Sequence, residues 1–345
     1  MSKVIVGMSG GVDSAVTAFL LKAAGHEVIG VTGDGSRCCE IDDAGLAAAQ
    51  LGIPFYVHTC ADRFHECVAE PFVEAYLCGL TPNPCVVCNR AVKWEGLLRA
   101  AEHQGAEYVA TGHYASVVKL ENGRYTVKKA LSAQKDQTYM LYQLTQEQLS
   151  RTIMPLGGLE KEDVRKMAAK AGLAVAEKKD SQEICFVTEG GYADYITEHA
   201  QREIPGEGNF VDDSGRVLGR HRGIIHYTVG QRRGLGLALG EPAYVKKIDA
   251  VKNEVVIGRE DSLYSREIFV RDVRYMGITG LPEGEKLRVN AKIRYRHAGE
   301  WAAAESVGDG RIRLVFEKPV RAATPGQSAV FYDGDGCLVG GGIIE

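Results

Sequence analysis

The first stretch of the chain constrains the fold more than any other. An apolar run, Val4-Ile5-Val6, feeds directly into Gly7-Met8-Ser9-Gly10-Gly11-Val12-Asp13-Ser14, and residues 15–24 then have helical composition and end at Gly25. Strand, glycine-rich turn and helix in that order open a parallel α/β sheet, because an all-apolar strand needs cover on both faces. The pattern then repeats. Residues 28–31, 55–58 and 108–111 read as strands, 42–51 as a helix capped by Asp42 or Asp43, and 64–78 and 91–103 as helices. This order predicts a doubly wound, Rossmann-like parallel sheet with helices on both faces.

Beyond residue 119 the signal changes. Segments 117–120 and 125–128 flank Glu121-Asn122-Gly123, a hairpin signal, and 161–171 is helical. Residues 206–270 are glycine-rich with short strands, and 270–345 alternate short strands with turns such as Leu281-Pro282-Glu283-Gly284. The expected architecture is an α/β domain over 1–190, a small mixed middle domain over 191–267, and a β-barrel over 268–345.

Composition narrows the class. Nine cysteines, an odd number without a secretion signal, favour a reducing compartment. No apolar run reaches the roughly 18 residues of a membrane span. The chain enters its first strand at once, so a cytoplasmic protein without membrane attachment is expected. A net charge of −4 argues against a general nucleic-acid coat. Two stretches nonetheless lack acids: 216–233, with Arg216, Arg220, Arg222, Arg232 and Arg233, and 286–297, with Lys286, Arg288, Lys292, Arg294 and Arg296. They can follow a phosphate backbone, or they are solvated strand faces.

The loop at 7–14 carries the first chemistry. Its glycines let the backbone approach an anion, and the helix that follows supplies N–H groups and a dipole for phosphate. Ser9 and Ser14 offer hydroxyls, and Asp13 offers a carboxylate for Mg²⁺. The lysine of a Walker A loop is missing. Gly112 and His113 follow the strand at 108–111, and Thr32 follows the strand at 28–31, so all three belong at the ligand crevice.

Cysteine carries the second. Thr81-Pro82-Asn83-Pro84-Cys85-Val86-Val87-Cys88-Asn89-Arg90 reads as a rigid loop before a helix that starts near Ala91. Cys88 at a helix start, beside Arg90, is expected to have its thiol pKa lowered by about a unit or more. Asp180-Ser181-Gln182-Glu183-Ile184-Cys185-Phe186 offers a second sulfur. Half a zinc site, a simple dithiol pair and inert buried thiols remain open for the Cys-x-x-Cys. Cys38, Cys39, Cys60, Cys67 and Cys78 read as buried or incidental.

These motifs together resemble one family, the tRNA-specific 2-thiouridylases of the PP-loop ATP pyrophosphatase superfamily. The resemblance spans the chain: GMSGGVDS at 7–14, TPNPCVVCN at 81–89, TGHYA at 111–115, KDQTYMLY at 135–142, DSQEICF at 180–186, YTVGQRRGLG at 227–236, RYR at 294–296 and TPGQ at 324–327. It implies ATP-dependent conversion of the wobble uridine of tRNA to 2-thiouridine. The uridine C2 oxygen is adenylated, and sulfur comes from a persulfide supplied by a donor protein, a cysteine desulfurase or a relay. By the same carry-over, Cys185 bears the persulfide and Cys88 is the nucleophile that pairs with it. Gly7, Met8, Ser9, Gly10, Gly11, Val12, Asp13, Ser14, Thr32 and Gly112 bind ATP with Mg²⁺. Asn83, Pro84 and Cys85 meet the target base, and His113, Lys135, Asp136, Gln137, Arg294, Tyr295 and Gln327 meet tRNA. Gln231, Arg232 and Arg233 are further candidates for phosphate. Many members carry Asp where this chain has Cys85. Cys85, Cys88 and Cys185 would therefore make three thiolate ligands for an iron–sulfur cluster. Rival readings are another PP-loop enzyme, such as an amidotransferase-type synthetase or tRNA lysidine synthetase, and a non-catalytic tRNA-binding protein.

Overall fold

The computed structural model describes residues 1–35, 38–178, 184–187 and 190–345. Asp180 to Glu183 of the second cysteine motif, and the side chains of Cys38 and Cys39, lie outside the described residues.

The N-terminal sheet is parallel. Its strands are β1 (Lys3–Gly7), β2 (Glu27–Gly33), β3 (Phe55–His58), β4 (Tyr108–Ala110) and β7 (Thr152–Ile153), in the order β3-β2-β1-β4-β7. Val4, Ile5 and Val6 are fully buried, as a central strand covered on both faces requires. Helices α1 (Val12–Ala23) and α2 (Cys38–Leu51) follow β1 and β2, and α2 begins earlier than the sequence suggested. The chain leaves β1 toward β2 on one side and pairs with β4 on the other. The crevice beyond their carboxyl ends is thus a topological switch point, where open α/β sheets bind ligands.

Two expected helices are compound. The first runs α3 (Ala61–Phe64), a π-turn (His65–Ala69) and α4 (Glu70–Leu77). The second runs α5 (Pro84–Cys88), a π-turn (Asn89–Trp94) and α6 (Glu95–Gln104). The second helix therefore starts at Pro84, not near Ala91. Asn83 caps it by accepting from the Cys85 N–H at 3.2 Å, and Pro84 takes the first helical position, where its missing N–H costs nothing.

The hairpin β5 (Ala115–Lys119) and β6 (Tyr125–Lys129) forms where its turn signal lies. The short helix α7 (Gln146–Ser150), α8 (Lys161–Lys170) and α9 (Tyr192–His199) follow. The middle sheet has the order β10-β11-β8-β9, from β8 (Gly208–Val211), β9 (Val217–His221), β10 (Tyr244–Asp249) and β11 (Glu254–Gly258). The C-terminal barrel closes in the order β12-β15-β14-β13-β16-β17, from β12 (Tyr264–Tyr275), β13 (Lys286–Lys292), β14 (Glu300–Ser306), β15 (Ile312–Arg321), β16 (Ser328–Tyr332) and β17 (Leu338–Ile344).

The barrel shares a core with the α/β domain. Ile5, Trp94, Tyr139 and Leu141 pack in one apolar cluster with Met276, Val330, Tyr332 and Leu338. Polar bonds pin the same contact: Thr126 Oγ1 donates to the Leu338 carbonyl at 2.6 Å, and the Tyr139 hydroxyl to the Ser328 carbonyl at 2.8 Å. The middle domain is anchored through α4, whose Phe72, Val73 and Tyr76 pack with Tyr195, Ile196, Phe210 and Val255.

Candidate functional site

The anion loop forms at the carboxyl end of β1. The Ser9 N–H donates to Ser14 Oγ at 3.1 Å, and Ser14 Oγ donates to the Gly11 carbonyl at 3.1 Å. Gly11 caps α1 without a side-chain bond, so the first N–H groups of the helix face the loop. Gly112 closes the other wall. A Cβ there would sit 2.8 Å from the Asp13 carbonyl carbon and the Ser14 nitrogen, so only glycine lets the β4 loop approach this near. Thr32 lies inside β2 and is buried, and Met8 is buried against Gly30.

Asp13 is not an open carboxylate. Lys161 Nζ lies 2.8 Å from both of its oxygens, and the Tyr114 hydroxyl donates to Oδ1 at 2.9 Å. Among the described residues no three His, Cys, Asp or Glu side chains come together to hold a metal ion. Lys161 and Tyr114 occupy the Asp13 oxygens that an acidic Mg²⁺ ligand would need open, and Cys85, Cys88 and Cys185, though each interacts electrostatically with Lys93, form no metal-holding group among the described residues.

Cys60, Cys67 and Cys88 gather in one small apolar cluster. Cys88 is buried with Val68 and Val92, and Cys60, Cys67, Phe64 and Phe186 pack around them. Both π-turns border this cluster, a feature that often marks functional sites. Among the described residues, Cys60, Cys67, Cys78, Cys85, Cys88, Cys185 and Cys337 form no disulfide. Cys185 is exposed and Cys88 buried.

The electrostatics differ from expectation. Cys88 ends α5 and so stands beyond the first turn of its helix, away from the orphan N–H groups. Burial pushes its thiol up to about 11, against the pull of Lys93, instead of lowering it. Burial also raises Cys85. The cation here is Lys93, not Arg90, whose electrostatic neighbours are Arg274, Glu95 and Arg63. Lys93 is exposed to solvent, with the three thiols among its electrostatic neighbours. Desolvation disfavours its charge, but Cys88, Cys85 and Cys185 outweigh that and hold it protonated. His113 lies within electrostatic range of Lys93. Burial, with Lys93 adding to it, drops its pKa to about 3, so the ring is neutral. Its Nδ1 meets Thr111 Oγ1 at 2.9 Å, and its ring lies 5.4 Å from that of Trp94.

Several residues expected to meet tRNA are bonded inside the fold. Asp136 is buried and accepts from the Ala130 N–H at 3.1 Å and from Thr138 Oγ1 at 2.8 Å. Gln137 Oε1 accepts from the Tyr114 N–H at 2.9 Å. Arg294 donates to the Ala322 carbonyl, and Tyr295 is partly buried 6.2 Å from the Tyr139 ring. Gln327 clamps the barrel to the cysteine loop. Its Nε2 donates to the Thr81 carbonyl at 2.9 Å, and the Thr81 N–H donates to the Pro325 carbonyl at 2.9 Å. Lys135 is half-buried.

The acid-free stretches are not acid-free surfaces. Arg216 pairs with Asp212 at 3.1 Å and Arg220 with Glu207 at 3.7 Å. Lys286 pairs with Glu305 at 3.7 Å and Arg288 with Glu317 at 2.9 Å, because strand pairing imports acids from distant segments. Arg222, Arg232, Arg233 and Arg296 stay exposed with no acid in ion-pair range among the described residues.

Comparison with known proteins decides the family. The chain is 51% identical to the tRNA-specific 2-thiouridylase MnmA of Lachnoclostridium phytofermentans, covering 100% of this chain and 99% of the relative. It belongs to the tRNA-specific 2-thiouridylases, tRNA sulfurtransferases. The namesake from Acetivibrio thermocellus is 50% identical, covering 99% of each chain. Three family descriptions match in order: a tRNA methyl transferase HUP domain over residues 2–189, a tRNA methyl transferase PRC-barrel domain over 193–259, and an aminomethyltransferase beta-barrel domain over 265–344. A solved 4-thiouridine synthetase–RNA complex with bound ATP overlaps 54% of this chain and 45% of its own at 16% identity, with a TM-score of 0.34.

Sequence reasoning missed Lys93, Lys161, Tyr114 and the Gln327 clamp. Lys93 was findable, since it falls on the same helix as Cys85 and Cys88. Lys161 was not, since it lies 148 residues from Asp13 in the chain.

Proposed function

We propose that this protein converts the wobble uridine of tRNA to 2-thiouridine with ATP. The observation that carries the reading is the nearness of an anion loop to a lysine that three thiols surround: Gly112 packs against Asp13 and Ser14, and the next residue, His113, feels the charge of Lys93, which is coupled to Cys85, Cys88 and Cys185. The uridine C2 oxygen attacks the α-phosphorus of ATP, and pyrophosphate leaves. The terminal sulfur of a Cys185 persulfide then attacks C2, and AMP departs with the oxygen. The Cys88 thiolate attacks the Cys185 sulfur. This breaks the S–S bond, leaves 2-thiouridine, and forms a Cys88–Cys185 disulfide that an external dithiol must reduce. The persulfide comes from a donor protein bearing its own persulfide.

The wobble base must leave the anticodon stack to present its C2 to the sulfur, and loop bases do so at least cost. Asn83, Pro84 and Cys85 shape the wall against which it rests. His113, neutral, meets RNA as a hydrogen-bonding or stacking group and not as a cation. Lys135, Tyr295 and the exposed Arg232 and Arg233 contact the tRNA, while Asp136, Gln137, Arg294 and Gln327 hold the surface that binds it. A methyl transfer would use neither the ATP loop nor the thiols.

Pyrophosphate release tests the first half. With Mg-ATP and unmodified tRNA, a Cys185→Ser variant should release pyrophosphate in a tRNA-dependent way yet form no thionucleoside. Full thiolation by that variant would overturn the persulfide assignment. Absence of tRNA-dependent pyrophosphate release from the unaltered enzyme would overturn adenylation.

A further inference from the structure

The anion loop lacks a lysine of its own, yet an ammonium stands at it. Lys161 begins α8, and its Nζ lies 2.8 Å from each carboxylate oxygen of Asp13, with only 12% of its side chain exposed. Tyr114 fixes the pair from a third side, donating to Asp13 while its ring lies 5.8 Å from the Lys161 ammonium. Asp13 itself sits in the first turn of α1, beside the Ser9–Ser14 hydroxyl pair and the uncapped helix start. A second ammonium, Lys178, donates to the Gly10 carbonyl at 3.0 Å and pairs with Asp43. Two cations therefore contact the loop, one at Asp13 and one at Gly10.

A pyrophosphate leaving group gathers negative charge as its bond to the α-phosphorus breaks. Backbone N–H groups supply only partial charges against it, so a fixed cation gives the largest gain where charge develops. A lysine gripped by a carboxylate is such a cation, already oriented before the substrate arrives.

We propose that Lys161 is the phosphate-contacting cation of the ATP site, and that Asp13 is a positioning residue that holds it. On nucleotide binding, Lys161 exchanges one Asp13 bond for a phosphate oxygen. This assigns Asp13 a role different from metal ligation, and it rests on the adenylation reading above.

The test titrates inorganic pyrophosphate into the full chain by calorimetry, without divalent cations. Lys161→Met should weaken binding at least tenfold, as loss of one charge-assisted bond does, and Lys161→Arg should hold it within about threefold. Asp13→Asn keeps the ammonium and should weaken binding less than Lys161→Met. Thermal unfolding and tRNA affinity check that each variant is folded. The double variant Asp13→Asn/Lys161→Met separates contact from neutralisation. Continued weak binding supports a direct phosphate contact, and recovery would show that Lys161 merely neutralises Asp13 and would overturn the proposal. Pyrophosphate affinity unchanged in Lys161→Met would also overturn it. Failure of the unaltered protein to bind either pyrophosphate or ATP would instead remove the adenylation reading.

Discussion

Gly326→Ala tests how the barrel holds the cysteine loop. Gly326 has φ +90°, and a Cβ there would lie 2.9 Å from the Thr81 nitrogen and 3.0 Å from Leu80 Cβ. The left-handed backbone alone costs an alanine about 1–2 kcal/mol. The overlap then leaves two routes. Either the turn strains in place, at about 1–3 kcal/mol, or the clamp opens. Opening sacrifices the bonds from Gln327 Nε2 to the Thr81 carbonyl and from the Thr81 N–H to the Pro325 carbonyl. At about 1 kcal/mol each, that is a similar sum. The totals are about 2–5 kcal/mol if the turn strains in place and about 3–4 kcal/mol if the clamp opens. Gly123→Ala is the control: Gly123 has φ +81° with nothing within 4 Å of a built Cβ, so it carries backbone strain without the contact. Urea unfolding of both variants gives the difference. Sulfur transfer should fall in Gly326→Ala and persist in Gly123→Ala. Equal destabilisation by the two substitutions would refute the clamp.

Three further outcomes follow from the site. Alkylation of Cys88 should show a midpoint near about 11, and Lys93→Met should move it higher still, because the pull of Lys93 opposes burial; an unmoved midpoint would remove Lys93 from the thiols. His113 has a folded-state pKa of about 3, below its ordinary value of 6.5, so its neutral form contributes stability above pH 6.5 that is lost as pH falls toward 3. The unfolding free energy should fall across that window with a component of up to ~1.4 kcal/mol per pH unit that His113→Asn lacks, and an identical slope in the variant would contradict the buried neutral ring. Arg232→Ala and Arg233→Ala should each lower the salt slope of tRNA binding by about 0.7–0.9. Arg294→Ala should reduce stability with little change in that slope, since its guanidinium serves the Ala322 carbonyl.

What was legible in the sequence was local. The Val4–Val6 run, the glycine loop and the Asn122-Gly123 turn each carry their own signal within a few residues, and β1, the loop and the β5–β6 hairpin formed where expected. The second helix was misplaced because Pro82 and Pro84 read as loop, when Pro84 occupies the first helical turn, the one interior place a proline suits. Its π-turn has no sequence signature, and without it the thiol face of the helix cannot be drawn. The charged stretches misled because acids such as Glu305 and Glu317 come from other strands of the barrel. The thiol chemistry misled for a similar reason: helix position suggested a lowered Cys88 pKa, but tertiary burial sets it. The core shared by barrel and α/β domain is likewise non-local, joining Ile5 to Tyr332.

Nucleoside mass spectrometry addresses the central claim most directly. Unmodified tRNA with a wobble uridine is incubated with the protein, Mg-ATP, a persulfide donor and a dithiol reductant. The account predicts 2-thiouridine that requires ATP, forms in air as well as without it, and vanishes in Cys88→Ser and Cys185→Ser. A thionucleoside that forms without ATP, or that survives loss of Cys185, would contradict it.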